Sequence, residues 1–459
     1  MKMLIDMQWE KIEDKYFIVK SKNESFLIRT LPFQIFKLAH PIIRKRILEF
    51  INEKELVQNE ANGSFSGFFG LDVVITTKCN LRCKYCCALS KKINGFYGLK
   101  PENMDINVAS KMIDLSLDYF ENEIKNKKLS RVRFDLFITG GEPLLNFNVV
   151  LFILRTLEKR LSAISKKYNT LVEFSPEIAT NGTKMNEKIA KLLKQYNTQV
   201  VITLDGHLHD ETRIYPDGRG SLSEVLNALK ILLKYKNKIK LQTVMPISKI
   251  NEYNQVIKFY KDLGILKKIK RVHLIPQASQ IFDSYLSENK EGLLEENKKL
   301  YKKYGLSLYK ISKELNLDIK NYQGRLLRSI KIGGLAHRCP AAQWKICVTP
   351  AGDIYPCHQL TNIKEFYMGN VKNSRYKLEK KISRIKSIFR KRTVFLVKPC
   401  KDCLFQTICI PFVDCPARCF IETGDLYHVP EYYCEIHKPY MEKIFENTIL
   451  KDRNKLTSS

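Results

Sequence analysis

The sequence predicts an α/β chain: a partial (β/α)6 TIM-like barrel, a small N-terminal α+β segment before it and a cysteine-rich C-terminal domain after it. Three observations predict this. Short apolar runs alternate with amphipathic helical stretches between residues 71 and 276. The 13 cysteines form two groups, four between Cys79 and Cys87 and nine between Cys339 and Cys434. The residues before 68 follow a pattern of their own.

That N-terminal segment reads as a mixed module. KYFIVKSKNESFLIRT, residues 15–30, alternates apolar and polar positions about a Ser-Lys-Asn turn and predicts a hairpin. LAHPIIRKRILEFINEKEL, residues 38–56, predicts a helix entered through Pro41. The stretch from Asn59 to Gly67, rich in Asn, Ser and Gly, closes the segment.

Six strands are predicted next, at 71–77, 133–139, 172–180, 199–205, 240–246 and 271–276. Helices are predicted between them at 106–127, 148–167, 186–195 and 221–235; in the first, Ile106, Ala109, Met112, Ile113, Leu117 and Phe120 recur at helical spacing. Repeated strand–helix units imply a parallel sheet with right-handed crossovers, and a closed barrel needs eight. The open side leaves room for a large substrate. Residues 283–330 are polar and predicted helical. Arg375–Lys398 carries ten basic residues against Glu379, with Ile382, Ile385 and Phe389 on one face, which predicts a solvated amphipathic helix. The organisation is therefore a segment at 1–68, a core at 69–280, a connector at 281–335, a cysteine-rich domain at 336–445 and a tail at 446–459.

Composition narrows the class. Hydrophobic residues make up 44% and charged residues 27%, as in a soluble globular chain. No run approaches the ~18 apolar residues of a membrane span. Asp6, Glu10, Glu13 and Asp14 interrupt the N-terminus where a secretory signal has its apolar core, so a cytoplasmic enzyme is expected. The net charge of +30 suits nucleic acid, an acidic peptide, or a plain bias of lysines scattered through Ile- and Asn-rich sequence. A basic nucleic-acid-binding or RNA-modifying protein is the alternative of another class, but no interleaved basic and aromatic stripe supports it.

In the cytosol, clustered cysteines read as metal sites or catalytic thiols. Cys79-Asn-Leu-Arg-Cys83-Lys-Tyr-Cys86 follows the first predicted strand. Three thiolates on one loop ligate three irons of a cubane and leave the fourth iron open. Zinc is the other reading, but no further His or Cys has a matching local spacing; the adjacent Cys87 reads as a bystander. Three more polar or glycine-rich segments sit at strand ends, where α/β folds place ligand-binding loops. They are Thr139-Gly140-Gly141-Glu142-Pro143, Thr180-Asn181-Gly182 and Leu204-Asp205-Gly206.

CNLRCKYC, with an aromatic before its last cysteine, resembles the signature of the radical S-adenosylmethionine (SAM) superfamily. The resemblance covers roughly residues 70–280. It implies a [4Fe-4S] cluster on Cys79, Cys83 and Cys86 whose open iron binds the methionine end of SAM, with reductive cleavage to a 5′-deoxyadenosyl radical. By the same resemblance Gly140, Gly141, Glu142 and Pro143 contact SAM's amino group. Asn181, Asp205 and the Arg213 of His209-Asp210-Glu211-Thr212-Arg213 line its pocket.

CPAAQWKICVTPAGDIYPC, from Cys339 to Cys357, resembles the opening of a SPASM domain, which carries auxiliary clusters on many peptide-modifying relatives. The resemblance implies two auxiliary [4Fe-4S] clusters. One would use Cys400, Cys403, Cys409 and Cys434; the other would use Cys339 and Cys357 with Cys415 or Cys419, Cys347 being a further candidate. The spacing departs from the family pattern here: five residues, not three, separate Cys409 from Cys415, and three more separate Cys415 from Cys419.

Peptide or protein maturation is the substrate class this implies, by thioether or carbon–carbon cross-linking or a related oxidation. The N-terminal segment would grip a leader peptide, and an electron donor such as flavodoxin or ferredoxin would be needed. The runner-up is an anaerobic sulfatase-maturating enzyme forming formylglycine. In that family an acidic residue commonly follows the cysteine of the YPC segment as base, whereas here His358 follows Cys357. His358 is the candidate base in its place.

Overall fold

The computed structural model describes residues 7–13, 16–21, 24–30, 33–38, 67–86, 100–246, 249, 252–264, 272–277, 299, 301–303, 305–307, 339–407, 409 and 415–444. The predicted helix beyond Leu38, the Asn59–Ser66 stretch, Cys87, nearly all of the connector and the tail lie outside these residues. The chain forms two compact units. One comprises Met1–Ser64, Asn289–Cys339 and Arg392–Ser459; the other comprises Phe65–Glu288 and Pro340–Lys391.

The first unit opens with a four-stranded antiparallel sheet of β1 (Met7–Glu13), β2 (Tyr16–Ser21), β3 (Glu24–Thr30) and β4 (Phe33–Leu38), in chain order. The predicted hairpin is β2–β3, with Ser21 paired to Glu24 across its turn. Two strands were not legible beside it. MQWEKIE mixes charges into its alternation, and FQIFKL places two apolar residues together, which blurs the period of two that marks a strand. Leu38, placed in the helix by the sequence, instead pairs with Ser25 as the last residue of β4.

The second unit holds the six predicted strands: β5 (Phe68–Thr76), β6 (Arg131–Gly140), β7 (Leu171–Thr180), β8 (Gln199–Thr203), β9 (Lys238–Pro246) and β10 (Val272–Gln277). They pair in sequence order, all parallel, as a partial barrel requires. The crossovers carry α1 (Ile106–Lys127), α2 (Phe147–Tyr168), α3 (Glu187–Gln195), α4 (Leu222–Lys234) and α5 (Tyr253–Asp262). On β6, Val132, Phe134, Leu136 and Ile138 are buried, and Phe134 meets Phe120 of α1 edge-on at 5.2 Å. Each such fully buried side chain contributes roughly 1.5–3 kcal/mol. Arg133, Asp135 and Phe137 occupy the other face of β6, the inner wall of the barrel.

The sheet does not stop at six strands. β11 (Lys345–Val348) lies parallel to β5 on its far side, followed by β12 (Asp353–Tyr355) and β13 (Gly369–Asn370), making nine. Runs of two to four residues are too short for a periodicity to declare them. The basic stretch folds as α6 (Arg375–Lys391), with Ile382, Ile385 and Phe389 each 3% exposed. Its apolar face is thus covered, as its spacing predicted.

Local caps fix where the crossovers begin. The Asp105 carboxylate accepts the Val108 N–H at 2.7 Å and starts α1, while Asn186 does the same for Ile189 at 2.9 Å and starts α3. Replacing Asp105 with Ala is expected to cost about 1 kcal/mol. In a domain of this size that lowers the melting midpoint by roughly 2–4 °C, measurable by circular dichroism.

Candidate active site

Four loops leave the C-terminal ends of β5, β6, β7 and β8, and the structure brings them together. The cysteine loop is the first. Its backbone is stitched to the segment after β8, with Arg82 N donating to Ile214 O at 2.6 Å and Lys84 N to Thr212 O at 2.9 Å. Leu81 is buried beneath it, and the Leu81 N–H points at the Cys79 sulfur at 3.4 Å. Burial pushes the Cys79 and Cys83 thiols above their usual range.

The second loop lies directly against the first. Gly141 N donates to Thr76 O at 2.8 Å and Glu142 N to Lys78 O at 2.9 Å. A Cβ on Gly140, whose φ is +140°, would stand 2.3 Å from Thr76 O, and one on Gly141 would stand 2.1 Å from Lys78 O. The two glycines are therefore explained by backbone approaching backbone. Pro143 is buried at the first position of the short turn that follows, before α2.

Glu142 is wholly buried and its carboxylate is occupied by the protein. It accepts from Leu144 N at 2.9 Å, Thr180 Oγ1 at 2.7 Å and Asn181 N at 2.7 Å. Burial raises its pKa against the pull of these bonds. Asn181 in turn donates through Nδ2 to Asn80 Oδ1 at 3.0 Å, with Cys79 Sγ at 4.0 Å, and Asn80 Nδ2 reaches Thr183 Oγ1 at 2.8 Å.

Asp205 closes the ring of loops. It accepts from the Tyr85 hydroxyl at 2.5 Å, Thr212 Oγ1 at 2.9 Å and Val244 N at 2.9 Å. Arg213 Nη1 donates to the same Tyr85 hydroxyl at 2.8 Å. Tyr85, the aromatic of CKYC, thereby ties the cysteine loop to Asp205 and Arg213. His209 Nδ1 accepts the Asp205 N–H at 3.3 Å, while Nε2 faces Ser221 Oγ at 3.2 Å. Burial, with Arg213 nearby, lowers its pKa from 6.5 to about 3, so the ring is neutral.

These residues suit the group that the motif implies. The donor set is three soft sulfurs on one loop. Among the described residues no three His, Cys, Asp or Glu side chains converge as a single-ion site requires. Cubane ligands need not converge, because each binds its own iron. Arg213 is 7% exposed, and its Nε is buried with no hydrogen-bond partner among the described residues, leaving one cationic donor for an anionic group.

The later cysteines fall in both units. Cys347 and Cys357 lie in the barrel unit, where burial, then Asp72 and Cys357, push the Cys347 thiol well up. Cys339, Cys400, Cys403, Cys409, Cys415, Cys419 and Cys434 lie in the other unit. There burial, then the sulfurs of Cys400, Cys409 and Cys403, push the Cys434 thiol up. Cys415 precedes α7 (Pro416–Thr423); Cys419 is buried within it, and Arg392 Nη2 lies 3.7 Å from its sulfur.

His358 stands beside the inner wall of the barrel. Its Nδ1 is 2.7 Å from Asp72 Oδ2, its backbone N–H reaches the same oxygen at 3.3 Å, and its ring lies 5.3 Å from that of Phe137. Lys345 Nζ is 2.8 Å from the other Asp72 oxygen. Burial alone would raise the Asp72 carboxyl, but Lys345 and His358 outweigh it and hold the pKa down to about 2. The sequence reading missed Asp72, Lys345 and the pinning role of Tyr85. The signal was an acidic residue inside the apolar run LDVVIT, where only a paired carboxylate is tolerated.

Residues 73–263 match the radical SAM superfamily. The chain is a radical SAM enzyme. It is 29% identical over 345 residues to an uncharacterized protein of Methanocaldococcus jannaschii, covering 73% of this chain and 99% of that one. It is 25% identical to a cysteine-type anaerobic sulfatase-maturating enzyme of Clostridium perfringens, over 81% of this chain and 94% of the relative. It is also similar to the solved structure of native anSMEcpe with bound AdoMet, at a TM-score of 0.59 and 22% identity, covering 83% of this chain and 98% of the other, which shows a shared fold. No helix among the described residues of this radical SAM enzyme is long and apolar enough to cross a membrane.

Two outcomes follow from this geometry. Gly141→Ala is expected to displace the cysteine loop and lower SAM cleavage on the order of 100-fold, read as 5′-deoxyadenosine formed per hour. His209 is neutral when folded and binds a proton near pH 6.5 when unfolded, so the unfolded state binds more protons below that pH. Stability is then fully present above about 6.5 and falls as pH drops toward about 3. The slope contributed approaches ~1.4 kcal/mol per pH unit, and His209→Gln should remove it from urea titrations between pH 7 and pH 5.

Proposed function

We propose that this radical SAM enzyme modifies a ribosomally made peptide or protein, by a thioether or carbon–carbon cross-link or a related oxidation. Cys79, Cys83 and Cys86 would hold the [4Fe-4S] cluster, with SAM among Gly140–Pro143, Asn181, Asp205 and Arg213. The later cysteines would hold two auxiliary clusters. The observation that carries the reading is that Cys400, Cys403, Cys409 and Cys434 fall in one compact unit, apart from the cysteine loop of the barrel. The relation to a sulfatase-maturating enzyme over four-fifths of the chain supports a protein substrate.

When bound, the cluster supplies one electron and SAM supplies a 5′-deoxyadenosyl radical able to take hydrogen from an unreactive C–H bond. The protein's part is placement. Tyr85 fixes the cysteine loop through Asp205 and Arg213. Glu142 keeps the ends of β6 and β7 in register through Thr180 and Asn181. The carboxylate of Glu142 is already occupied by three donors, so the backbone of Gly140 and Gly141 and the spare Nε–H of Arg213 are the better candidates for contacting SAM. His358 would accept a substrate proton at Nε2, because Asp72 engages Nδ1 and holds the ring's orientation. The partners called for are the substrate, with or without a leader, and a one-electron donor such as flavodoxin or ferredoxin.

Formylglycine formation on a sulfatase is the second reading, and one observation favours it. The acid that commonly follows the YPC cysteine in that family is replaced here by His358, yet Asp72 stands 2.7 Å behind it. The histidine and the aspartate together restore a basic pair at that place.

Anaerobic reconstitution is expected to give about twelve irons per chain and SAM cleavage that Cys83→Ala abolishes. Stoichiometric zinc without SAM cleavage would sink the reading. Precursor peptides encoded beside the gene, and a sulfatase-derived peptide, then separate the two readings by mass spectrometry. His358→Gln is expected to keep SAM cleavage while lowering product formation about 10²–10⁴-fold; an equal loss of both would remove His358 as the base.

A further inference from the structure

The described contacts between the N-terminal sheet and the rest of its unit reach the four-cysteine region. The Trp9 ring of β1 packs edge-on against Phe405, with centroids 5.7 Å apart. Lys438 Nζ lies over the same indole, 4.6 Å from its centre. Two residues along, Lys11 Nζ donates to Asp402 Oδ1 at 2.9 Å and to Lys401 O at 3.1 Å. Each partner belongs to a cysteine segment. Lys401 and Asp402 are the two residues between Cys400 and Cys403. Phe405 lies between Cys403 and Cys409. Lys438 follows Cys434 by one turn of α8 (Glu431–Ile444), on the same face.

Trp9 and Lys11 side chains both leave the same face of β1, since they are two residues apart. That face therefore bears on all three of these cysteine-carrying segments together. The short turn at Cys400–Asp402 and the run to Cys409 are held by local turn bonds, Cys403 N donating to Cys400 O at 3.0 Å, Gln406 N to Cys403 O at 3.0 Å and Cys409 N to Phe405 O at 2.7 Å, which shape each turn without fixing its distance from α8. The spacing between these segments would be set by a metal held from within, and β1 braces them from without.

We propose that β1 is a structural part of the four-cysteine site, so that filling the site and docking the N-terminal sheet are one coupled equilibrium. This rests on the reading of Cys400, Cys403, Cys409 and Cys434 as cluster ligands. Linkage makes the coupling reciprocal: a cluster that orders Asp402 and Phe405 favours the docked sheet, and the docked sheet slows loss of the cluster. The proposed substrate-gripping module would then stand in place only when its unit is loaded.

Hydrogen exchange and iron release test this without using turnover. In the reconstituted protein, amides of Met7–Glu13 are expected to exchange slowly, and in Cys403→Ser to exchange at least about tenfold faster. Chelator-driven iron release from Trp9→Ala should be about 10–100-fold faster for one cubane's share of the iron, the rest leaving at the wild-type rate. Trp9→Phe should retain most of the protection. Lys11→Met, a milder change that removes only the Asp402 contact, should accelerate release in the same direction by less. Wild-type iron release from both Trp9→Ala and Lys11→Met, with unchanged β1 exchange in Cys403→Ser, overturns the coupling alone. If Cys403→Ser removes no iron from the reconstituted protein, the reading of these cysteines falls, and the coupling with it.

Discussion

The organisation of this enzyme depends on a contact between two stretches of backbone. At the end of β6 the chain passes so close to Thr76–Lys78 that a methyl group at Gly140 or Gly141 would overlap a carbonyl oxygen. That closeness lets Gly141 and Glu142 donate their N–H groups to the root of the cysteine loop. It also delivers the Glu142 carboxylate to Thr180 and Asn181 at the end of the next strand. The loop that must present three sulfurs is thus held from its base by main-chain bonds, which no side-chain rotation can undo.

A second set of bonds holds the same loop from above, and it is made of charges kept away from water. Asp205 and Arg213 are both buried, and they meet through the Tyr85 hydroxyl rather than directly. Removing either would leave the other uncompensated in a low-dielectric interior, where such a loss costs several kcal/mol. The barrel interior repeats the device with Asp72, Lys345 and His358. In both places a buried carboxylate has a ring beside it, the Tyr85 hydroxyl donating to Asp205 and His358 Nδ1 lying 2.7 Å from Asp72 Oδ2, with a cationic side chain close by.

The six-stranded core was legible because β6, β7 and β9 are long and their helices carry strong apolar stripes. The strand-end motifs were legible because glycine, asparagine and aspartate there break patterns that are otherwise apolar. What escaped the sequence was contact between distant segments. Nothing local in KICV announces that Lys345 will lie beside Gly70, and nothing in LDVVIT says that Asp72 will meet a histidine 286 residues away. Glu142 was read as a ligand contact by family resemblance. Its hydrogen bonds to Leu144, Thr180 and Asn181 give it a place in the framework as well, which only the packing around it could reveal.

The threading of the chain has its own consequence. It enters the sheet-and-cysteine unit, leaves for the barrel, returns near Asn289, leaves again at Pro340 to add three strands to the barrel sheet, and returns for good at Arg392. Neither unit is a continuous piece of sequence. On the ribosome, β1 therefore waits for a partner made much later: Lys11 and Asp402 are 391 residues apart. At ordinary elongation rates that wait lasts tens of seconds, during which an antiparallel sheet has an uncovered face. Such non-local closure is slow, and it makes synthesis of this protein more dependent on chaperones than its barrel alone would be.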